Sequence, residues 1–156
     1  EAGVFQDSTL TSTTMSGIGS TSGTQDSFAA GAFSTSYFDV TFTVDELTDF
    51  SLSGYLDADS YFGLLSVSLL ENGINTFSID PFSAAATGFI YSGQFSTGNT
   101  YQLVATSDFS ELGLGYDETW QFDLVTTSAV PVPAAVWLFG SGLIGLFGVA
   151  KRKSRA

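Results

Sequence analysis

The sequence predicts an all-β protein: an antiparallel β-sandwich, jelly-roll-like in topology, followed by one C-terminal transmembrane α-helix. Between residues 37 and 128, apolar and polar residues alternate with a period of two in about seven or eight short segments. Turn-forming residues separate these segments about every 8–12 residues, which is typical of a sandwich. No amphipathic helical pattern precedes residue 134, whereas residues 134–150 form an apolar run without a charge.

Residues 1–36 are rich in Ser, Thr and Gly, and their few large apolar residues are irregularly spaced. Such a segment can bury little apolar area, and this burial offsets only part of the conformational entropy lost when the segment becomes ordered. We therefore expect a mostly ordered but irregular start to the chain. An edge strand over residues 2–10 and an O-glycosylated or stalk-like arm are the alternatives.

The alternation begins at Tyr37 and defines the first two predicted strands. Residues 37–44 and 50–56 each carry apolar residues at every second position, and a turn at Asp45-Glu46 separates them. This spacing places one face of each strand in the core. The residues expected to face inward are Phe38, Val40, Phe42, Val44, Phe50, Leu52, Gly54 and Leu56.

A hairpin is predicted around Asn72-Gly73, which lies between apolar runs over residues 63–70 and 74–79. Both residues of an Asn-Gly pair tolerate a positive φ angle, as the tight turn of a hairpin requires. Pro81 is expected to end the return strand, because proline has no amide hydrogen to donate within a sheet.

Three further strands complete the predicted sandwich. Residues 89–95 form a strand that ends at a Ser-Thr-Gly-Asn turn, and the next strand begins at about residue 101. The last strand covers residues 119–125. Tyr101, Leu103, Ala105 and Phe109 continue the alternation along the strand that begins at about residue 101. Along the last strand, the residues expected to face inward are Trp120, Phe122 and Leu124.

The C-terminal stretch, residues 129–156, has three parts. Val130-Pro131-Val132-Pro133 comes first, and its prolines disfavour helix before them, so a helix should start at about residue 134. Residues 134–150 would form roughly 25 Å of helix, near the short limit for crossing a bilayer core of about 30 Å. Trp137 is expected at the headgroup level, and Ser141 and Gly145 form a small-xxx-small pair that lets two helices approach closely.

All the basic residues of the chain lie in its last six positions, whereas residues 1–150 contain all the acidic residues and no Lys, Arg or His. Lys and Arg flank membrane helices on the cytoplasmic side, so the C-terminus is expected inside and residues 1–130 outside. The alternative is a buried core helix with a basic tail, but a core helix would show a polar face. The basic residues are Lys151, Arg152, Lys153 and Arg155.

Together, the Val-Pro-Val-Pro motif, the apolar run and the basic end closely resemble the PEP-CTERM sorting signal of exported proteins from Gram-negative, exopolysaccharide-producing bacteria. The Pro-Glu-Pro of the family is Pro131-Val132-Pro133 here. The resemblance implies processing by an exosortase, a membrane cysteine transpeptidase that cuts near this motif. Residues 52–56 and 93–105 are also similar to the generic exported domain of many PEP-CTERM proteins. A start at Glu1 rather than at methionine indicates a removed signal peptide or a cloning boundary.

Composition limits the chemistry open to residues 1–150. Without His, Cys, Lys or Arg, catalytic triads, Schiff bases and arginine clamps are excluded there, and zinc sites are disfavoured. The acidic balance opposes binding to nucleic acid and to anionic lipid. A carboxylate pair among Asp117, Glu118 and Asp123 would still permit a glycosidase, but Asp123 is more simply an outward strand residue. The protein is therefore expected not to be an enzyme.

Two ligand sites remain as hypotheses. No cofactor is expected, with Ca²⁺ as the alternative, because Asp57 and Asp59 place two carboxylates close together in a predicted loop. Asp-rich turns, however, are usually only turns. Aromatic residues make up 15% of the chain, and exposed tyrosine rings can stack on sugars. Tyr55, Tyr61 and Tyr91 are expected at loops or on outer faces, where they could bind a ligand.

The sequence thus predicts an N-terminal segment over residues 1–36, a sandwich over 37–128 and a sorting signal over 129–156. The first functional hypothesis is a non-enzymatic structural or interaction protein of the cell envelope or biofilm matrix. It would be exported, anchored in the inner membrane with a periplasmic ectodomain, and then released to the surface or matrix by an exosortase. The second is a carbohydrate-binding module for exopolysaccharide. The third is an accessory single-span subunit of a membrane complex or extracellular assembly.

Overall fold

The computed structural model describes residues 2–23, 32–58, 64–80, 86–111 and 116–128. These residues form nine β-strands in two antiparallel sheets, which confirms the predicted all-β sandwich. The strands are β1 (Ala2–Leu10), β2 (Thr14–Gly23), β3 (Ala32–Phe42), β4 (Thr48–Ala58), β5 (Leu64–Glu71), β6 (Ile74–Ile79), β7 (Thr87–Phe95), β8 (Tyr101–Glu111) and β9 (Tyr116–Ser128).

The two sheets have the orders β1-β2-β9-β4-β7 and β3-β8-β5-β6. Every paired neighbour runs antiparallel. The chain changes sheet between consecutive strands everywhere except at β1–β2 and β5–β6. A four-stranded β2-β9-β4-β7 layer therefore faces β3-β8-β5-β6 in a jelly-roll-like order, and β1 extends the first layer by one edge strand.

The core lies between the sheets and contains the apolar residues that the alternation predicted. Leu52, Leu56, Leu103, Phe122 and Leu124 are completely buried, and Val40, Phe42 and Val44 pack against the core from its margin. Aromatic rings join the two layers, as where the ring centroids of Phe38 and Phe122 lie 4.8 Å apart. Burying each such side chain stabilises the fold by about 1.5–3 kcal/mol, so the inner face of each strand determines its register.

Among the residues that the structure describes, Trp120 is the largest fully buried side chain, and small residues of β2 make room for it. Gly19 lies directly opposite Trp120 in the sheet, and Gly17 lies opposite Phe122. A methyl group on Gly19 would overlap the indole ring of Trp120 and the hydroxyl of Ser36. Glycine at this position therefore serves packing rather than an unusual backbone conformation.

The N-terminal segment is more regular than the sequence predicted. Residues 2–23 contain two long strands of the larger sheet, and the alternative of an edge strand over residues 2–10 is what the structure shows. All of β1 is exposed. Along β2, every second residue from Gly17 to Gly23 is buried, and these buried residues are three glycines and Thr21. The expectation of an irregular start was therefore wrong for these residues, because pairing with β9 orders β2 without large apolar side chains.

The predicted hairpin at Asn72-Gly73 is confirmed. Both residues have positive φ angles, 51° and 79°, as the tight turn requires. The turn is tied to the β7–β8 connection, since Asn72 N donates to Thr100 O at 2.7 Å. The Tyr101 hydroxyl also donates to Glu71 Oε1, at 3.2 Å, and it accepts from the Ser96 amide, at 2.7 Å.

The end of the sandwich that carries these turns is also where β9 ends, and we call it the tail-side end. Ser128 pairs with Thr48, and the Thr126 amide donates to Thr13 O at 2.8 Å. Five residues, 129–133, separate Ser128 from residue 134, so the Cα atoms of Ser128 and residue 134 lie at most about 22 Å apart. A helix at residue 134 would therefore begin close to the tail-side end.

The predicted membrane segment, with Trp137, Ser141, Gly145 and the basic residues, lies outside the described residues. Within the described part of the chain, the structure contains no helix with the length and apolar character needed to cross a membrane.

Candidate functional site

Two depressions lie side by side on the outer face of the five-stranded sheet. The strand register places Tyr55 between Gln121 and Gly88, and Ser53 between Asp123 and Ile90. These two rows run across the strands, and β2 and β1 continue them on the far side of β9. At a strand spacing of about 4.8 Å, the five strands make a band roughly 19 Å long. We call this surface the transverse band.

The larger depression has a volume of about 640 Å³ and lies over β4 and β7. It exists because Gly88 presents no side chain: a Cβ built there would find its nearest neighbour, Gly54 O, 3.8 Å away. Ile90 lies beside it, and the residue is 81% exposed. The depression is therefore an open, partly apolar groove. The residues that line it are Ser53, Gly54, Gly88, Phe89 and Ile90.

Tyr55 stands next to this groove, on the strand that neighbours Gly88. Its hydroxyl donates to Asp57 Oδ2 at 2.7 Å, and this hydrogen bond holds the ring in one orientation. The side chain is 38% exposed. A fixed, accessible aromatic ring beside an apolar groove and the Ser53 hydroxyl provides both apolar contact and hydrogen bonding for a ligand.

The smaller depression, of about 180 Å³, lies over β1, β2 and β9 at the other end of the transverse band. Its lining is more polar, with the carboxylates of Asp7 and Asp123 on opposite sides of Ser16 and Ile18. The two depressions therefore differ in character. The Tyr55 side offers apolar contact, and the Asp123 side offers hydrogen-bond acceptors.

The other predicted ligand residues are placed differently. Tyr91 faces inward, because β7 directs residues 89, 91, 93 and 95 toward the core. Its ring stacks on Phe77 at 4.8 Å and lies 5.7 Å from Phe50. The prediction that Tyr91 lies at a loop or on an outer face was wrong. Tyr61 lies outside the described residues.

The predicted Ca²⁺ ligands are not brought together among the described residues. Asp57 lies on the outer face of β4 and accepts the hydrogen bond from Tyr55, while Asp59 lies outside the described ranges. Within those ranges there is no group of three or more acidic residues placed to share a metal ion. A Ca²⁺ site at Asp57 and Asp59 stays a prediction.

The four-stranded sheet carries a second tyrosine–aspartate pair on its outer face. Tyr37 donates to Asp39 Oδ2 at 3.1 Å, and Gln102 Nε2 donates to Asp39 Oδ1 at 2.9 Å. The hydrogen bond to Asp39 raises the pKa of the Tyr37 hydroxyl, and partial desolvation and the carboxylate charge act in the same direction. The contribution of this hydrogen bond to the stability of the fold is complete below the ordinary tyrosine pKa of about 10. It is lost as the pH rises through the pKa of Tyr37 in the folded protein.

A buried polar cluster inside the sandwich was not predicted. Glu118 and Ser107 are fully buried, and Ser107 Oγ donates to Glu118 Oε2 at 3.1 Å. Ser107 Oγ also lies 2.5 Å from Thr21 Oγ1, on the opposite sheet. The signal was present in the sequence, because Glu118 is in phase with Trp120, Phe122 and Leu124 along β9.

A family model for the PEP-CTERM protein-sorting motif matches residues 129–153. The tail is thus a PEP-CTERM sorting motif, as its sequence predicted. No curated protein matches the sequence significantly.

Solved structures align only at low similarity. They include a carbohydrate-binding module, CBM6cm-2, of Cellvibrio mixtus lichenase 5A (TM-score 0.35, 13% identity, 80% of this chain and 88% of that one). Another is the CBM36-1 domain of a multidomain xylanase from the hindgut metagenome of Trinervitermes trinervoides. It aligns with a TM-score of 0.32 and 10% identity over 83% of this chain and 100% of that one. A third is dimeric latent PorU of Porphyromonas gingivalis, which aligns with a TM-score of 0.35 and 19% identity over 58% of this chain. The alignment covers only 10% of the PorU chain.

Proposed function

Because residues 129–153 are a PEP-CTERM sorting motif, we propose that this chain is a non-enzymatic structural or interaction protein of the bacterial cell envelope or biofilm matrix. The motif indicates export, membrane anchoring and processing by an exosortase-type enzyme. In this proposal, the ectodomain first lies in the periplasm and is anchored in the inner membrane by the C-terminal membrane-spanning segment. A cut within residues 130–133 then releases it to the surface or matrix.

The geometry of the tail-side end supports this order of events. The last strand of the sandwich ends at Ser128, which is still paired with Thr48, so a cut after that residue removes no part of either sheet. The motif Val130 to Pro133 follows within five residues of the paired backbone. The processing enzyme would therefore act in the short gap between the folded domain and the membrane.

The proposal that the protein is not an enzyme rests on residue types. Residues 1–150 contain no His, Cys, Lys or Arg, which supply most nucleophiles, bases and electrophilic groups. Among the three carboxylates that could have formed a glycosidase pair, Glu118 is fully buried and Asp123 lies on the outer face of the same strand. Successive side chains of a strand point to opposite faces of the sheet, so Glu118 lies on the inner face and Asp123 on the outer face. These two carboxylates therefore do not flank one substrate.

Replacing both prolines of the motif tests the processing step. The variant Pro131→Ala with Pro133→Ala should accumulate as full-length protein in the membrane fraction, and little should be released. Alanine lets the membrane helix extend toward the sandwich and so removes the non-helical segment that the enzyme reads. The measurement is the mass and fractionation of the protein from cells that contain the processing enzyme.

The matched control is Pro81→Ala, which changes the only proline outside the motif. It should be released like the unaltered protein. Equal release of the double variant and the control would show that the motif does not direct processing.

A second candidate function is carbohydrate binding by the released ectodomain. The observation that favours it is the groove at Gly88, flanked by the fixed ring of Tyr55 and by exposed Ile90. Such a surface suits an uncharged face of a polysaccharide, while the carboxylates along the transverse band accept hydrogen bonds from sugar hydroxyls. The matrix polysaccharide of the producing cell is the proposed ligand class.

Filling the groove tests this second candidate. Gly88→Leu should weaken binding to host exopolysaccharide at least about tenfold, a loss of about 1.4 kcal/mol, because the new side chain occupies the ligand's space. The substitution has room for its Cβ, so the fold should survive. Tyr55→Ala should weaken binding similarly, and Tyr55→Phe should do so less. Binding is measured on a glycan array and then by calorimetry.

Ser92→Leu is the matched control, since Ser92 lies on the same face of β7, about 13 Å along the strand. It should bind like the unaltered protein. Absence of binding to any polysaccharide, or equal binding by Gly88→Leu, would remove the carbohydrate-binding proposal and leave the export proposal standing.

A further inference from the structure

A small cleft opens between the two sheets at the tail-side end of the sandwich. It has a volume of about 110 Å³, roughly that of four water molecules. Met15 of β2 and Leu124 of β9, which are paired across the strands, line it from the larger sheet, and Phe42 of β3 lines it from the facing sheet. Val44, just beyond β3, completes the apolar wall. At this cleft the apolar core therefore reaches the surface.

The lining of the cleft is uncharged. Each described residue that lines it is either apolar or a serine or threonine, although residues 1–150 contain all 16 acids of the chain. Met15, Phe42 and Val44 pack against the core, but each is only partly buried. An occupant of the cleft would therefore be held by apolar contact rather than by charge, and it would complete the burial of these three side chains.

The rim of the cleft is fixed to the last strand of the sandwich. Thr11 Oγ1 accepts hydrogen bonds from the amides of Thr13, at 3.3 Å, and Thr14, at 2.9 Å, which close the turn between β1 and β2. Thr13 O accepts from both the amide and the hydroxyl of Thr126, at 2.8 Å and 3.1 Å. Thr126 itself lines the cleft and lies two residues before the end of β9. The tail therefore starts at the wall of the cleft.

The chain leaves the larger sheet beside this cleft. The neighbours of β9 begin at Thr14 on β2 and at Thr48 on β4, and Thr48 is already paired with Ser128. Neither strand continues alongside residue 129, so β9 has no further partner in the sheet. Val130 follows Thr126 by four residues, and their Cα atoms are at most about 14 Å apart. An apolar side chain of the tail is thus within reach of the cleft.

We propose that the tail-side cleft binds the Val130 side chain of the sorting motif and holds the motif against the sandwich. Val130 is the first large apolar residue after β9, and its short branched side chain suits the small apolar volume. Pro131 restricts the residue before it to an extended backbone, so Val130 does not join the membrane helix. Docking shields residues 130–133 until Val130 leaves the cleft, a consequence that rests on the proposed processing of the motif.

A pair of introduced cysteines tests the docking directly, because the chain contains no cysteine of its own. The full chain with Val44→Cys and Val130→Cys is purified in a mild non-ionic detergent and exposed to oxidised glutathione. A disulfide joins Cα atoms about 4.4–6.8 Å apart, so it forms rapidly only if the tail lies in the cleft. The rate of formation is measured by mass spectrometry of the linked peptides.

The matched control combines Val130→Cys with Leu47→Cys. Leu47 is exposed and directly precedes β4, next to the exit of the tail, but it does not line the cleft. The Val44 pair should form its disulfide at least about tenfold faster than the Leu47 pair, because docking raises the effective concentration of the two thiols. Thr43→Cys, at the exposed rim of the same cleft, replaces Val44→Cys if that variant does not fold.

Equal rates for the two pairs, or a faster Leu47 pair, would overturn the docking and leave the processing proposal untouched. Disulfides formed mainly between two molecules would also overturn it, because a second copy would then occupy the cleft. In cells that contain the processing enzyme, Val44→Ser should be released faster than the unaltered protein, and unchanged or slower release would contradict the shielding. If neither protein were released while the disulfide rates still differed tenfold, the processing proposal would fail and the docking would stand.

Discussion

Replacing Trp120 with alanine should destabilise the sandwich by about 3–5 kcal/mol, a large fraction of the roughly 5–15 kcal/mol that stabilises a domain of this kind. Trp120 is fully buried, its ring stacks on Phe122 at a centroid distance of 5.8 Å, and it fills the space above Gly19. Alanine would leave a cavity that the rigid strands β2 and β9 cannot close. Chemical denaturation measures the loss.

Two comparisons on the same strand make the result specific. Val125→Ala changes an outer-face side chain that is 44% exposed, and it should cost less than about 0.5 kcal/mol. Trp120→Phe should cost less than alanine, because it keeps an aromatic ring and removes an indole Nε1 that has no hydrogen-bond partner among the described residues. Equal losses for Trp120→Ala and Val125→Ala would contradict the placement of Trp120 in the core.

Ending the chain after Ser128 should move nearly all of the protein from the membrane fraction to the soluble fraction without changing its β-sheet circular dichroism. Every described strand is complete by Ser128, and only residues 129–156 carry the apolar run and the basic residues. The remaining domain is acidic throughout, so anionic lipid headgroups repel it. Fractionation of cells that lack the processing enzyme measures the shift.

The control keeps the span and removes only the charge, by replacing Lys151, Arg152, Lys153 and Arg155 with glutamine. This variant should stay in the membrane fraction, since the apolar run is unchanged. If the chain that ends at Ser128 still sedimented with membranes, membrane binding would lie in the sandwich rather than in the tail.

The strands from β3 onward could be predicted because their inner faces carry large apolar residues. Phe50, Leu52 and Leu56 alternate with polar residues on β4, and all three are buried. The Asn72-Gly73 turn could also be predicted, because a tight hairpin turn requires two positive φ angles and Asn and Gly are the residues that adopt them most readily. Local chemistry and tertiary packing agree at these positions.

The strand β2 was missed because the pattern of its buried residues is inverted, whereas β1 was expected only as an alternative, an edge strand over residues 2–10. On β2 the buried positions are Gly17, Gly19, Thr21 and Gly23, and an apolar residue, Ile18, faces outward. Period-two alternation was therefore present, but with small residues inside. Only the knowledge that Trp120 and Phe122 lie opposite these glycines explains the choice, and that pairing joins residues about a hundred positions apart.

The candidate site was only partly visible in the sequence. Tyr55 is where the alternation placed it, whereas Tyr91 lies inside, because the true phase of β7 is set by Phe89 and Phe95. The groove depends on Gly88 lying beside Tyr55, a cross-strand relation that the sequence alone cannot supply. The burial of Glu118 could be predicted from its phase with Trp120 on β9, whereas its hydrogen bond with Ser107 joins two strands that the sequence alone does not bring together.

The most direct test of the proposed function is the intact mass of the unaltered protein, measured separately in the membrane and released fractions of the producing cells. The released protein should end between Val130 and Pro133, and the membrane fraction should contain the chain that still carries Lys151 to Ala156. A released protein that retained Arg155 and Ala156 would contradict processing at the sorting motif. A chain found only in the membrane, always full-length, would indicate instead an accessory subunit that uses its span permanently.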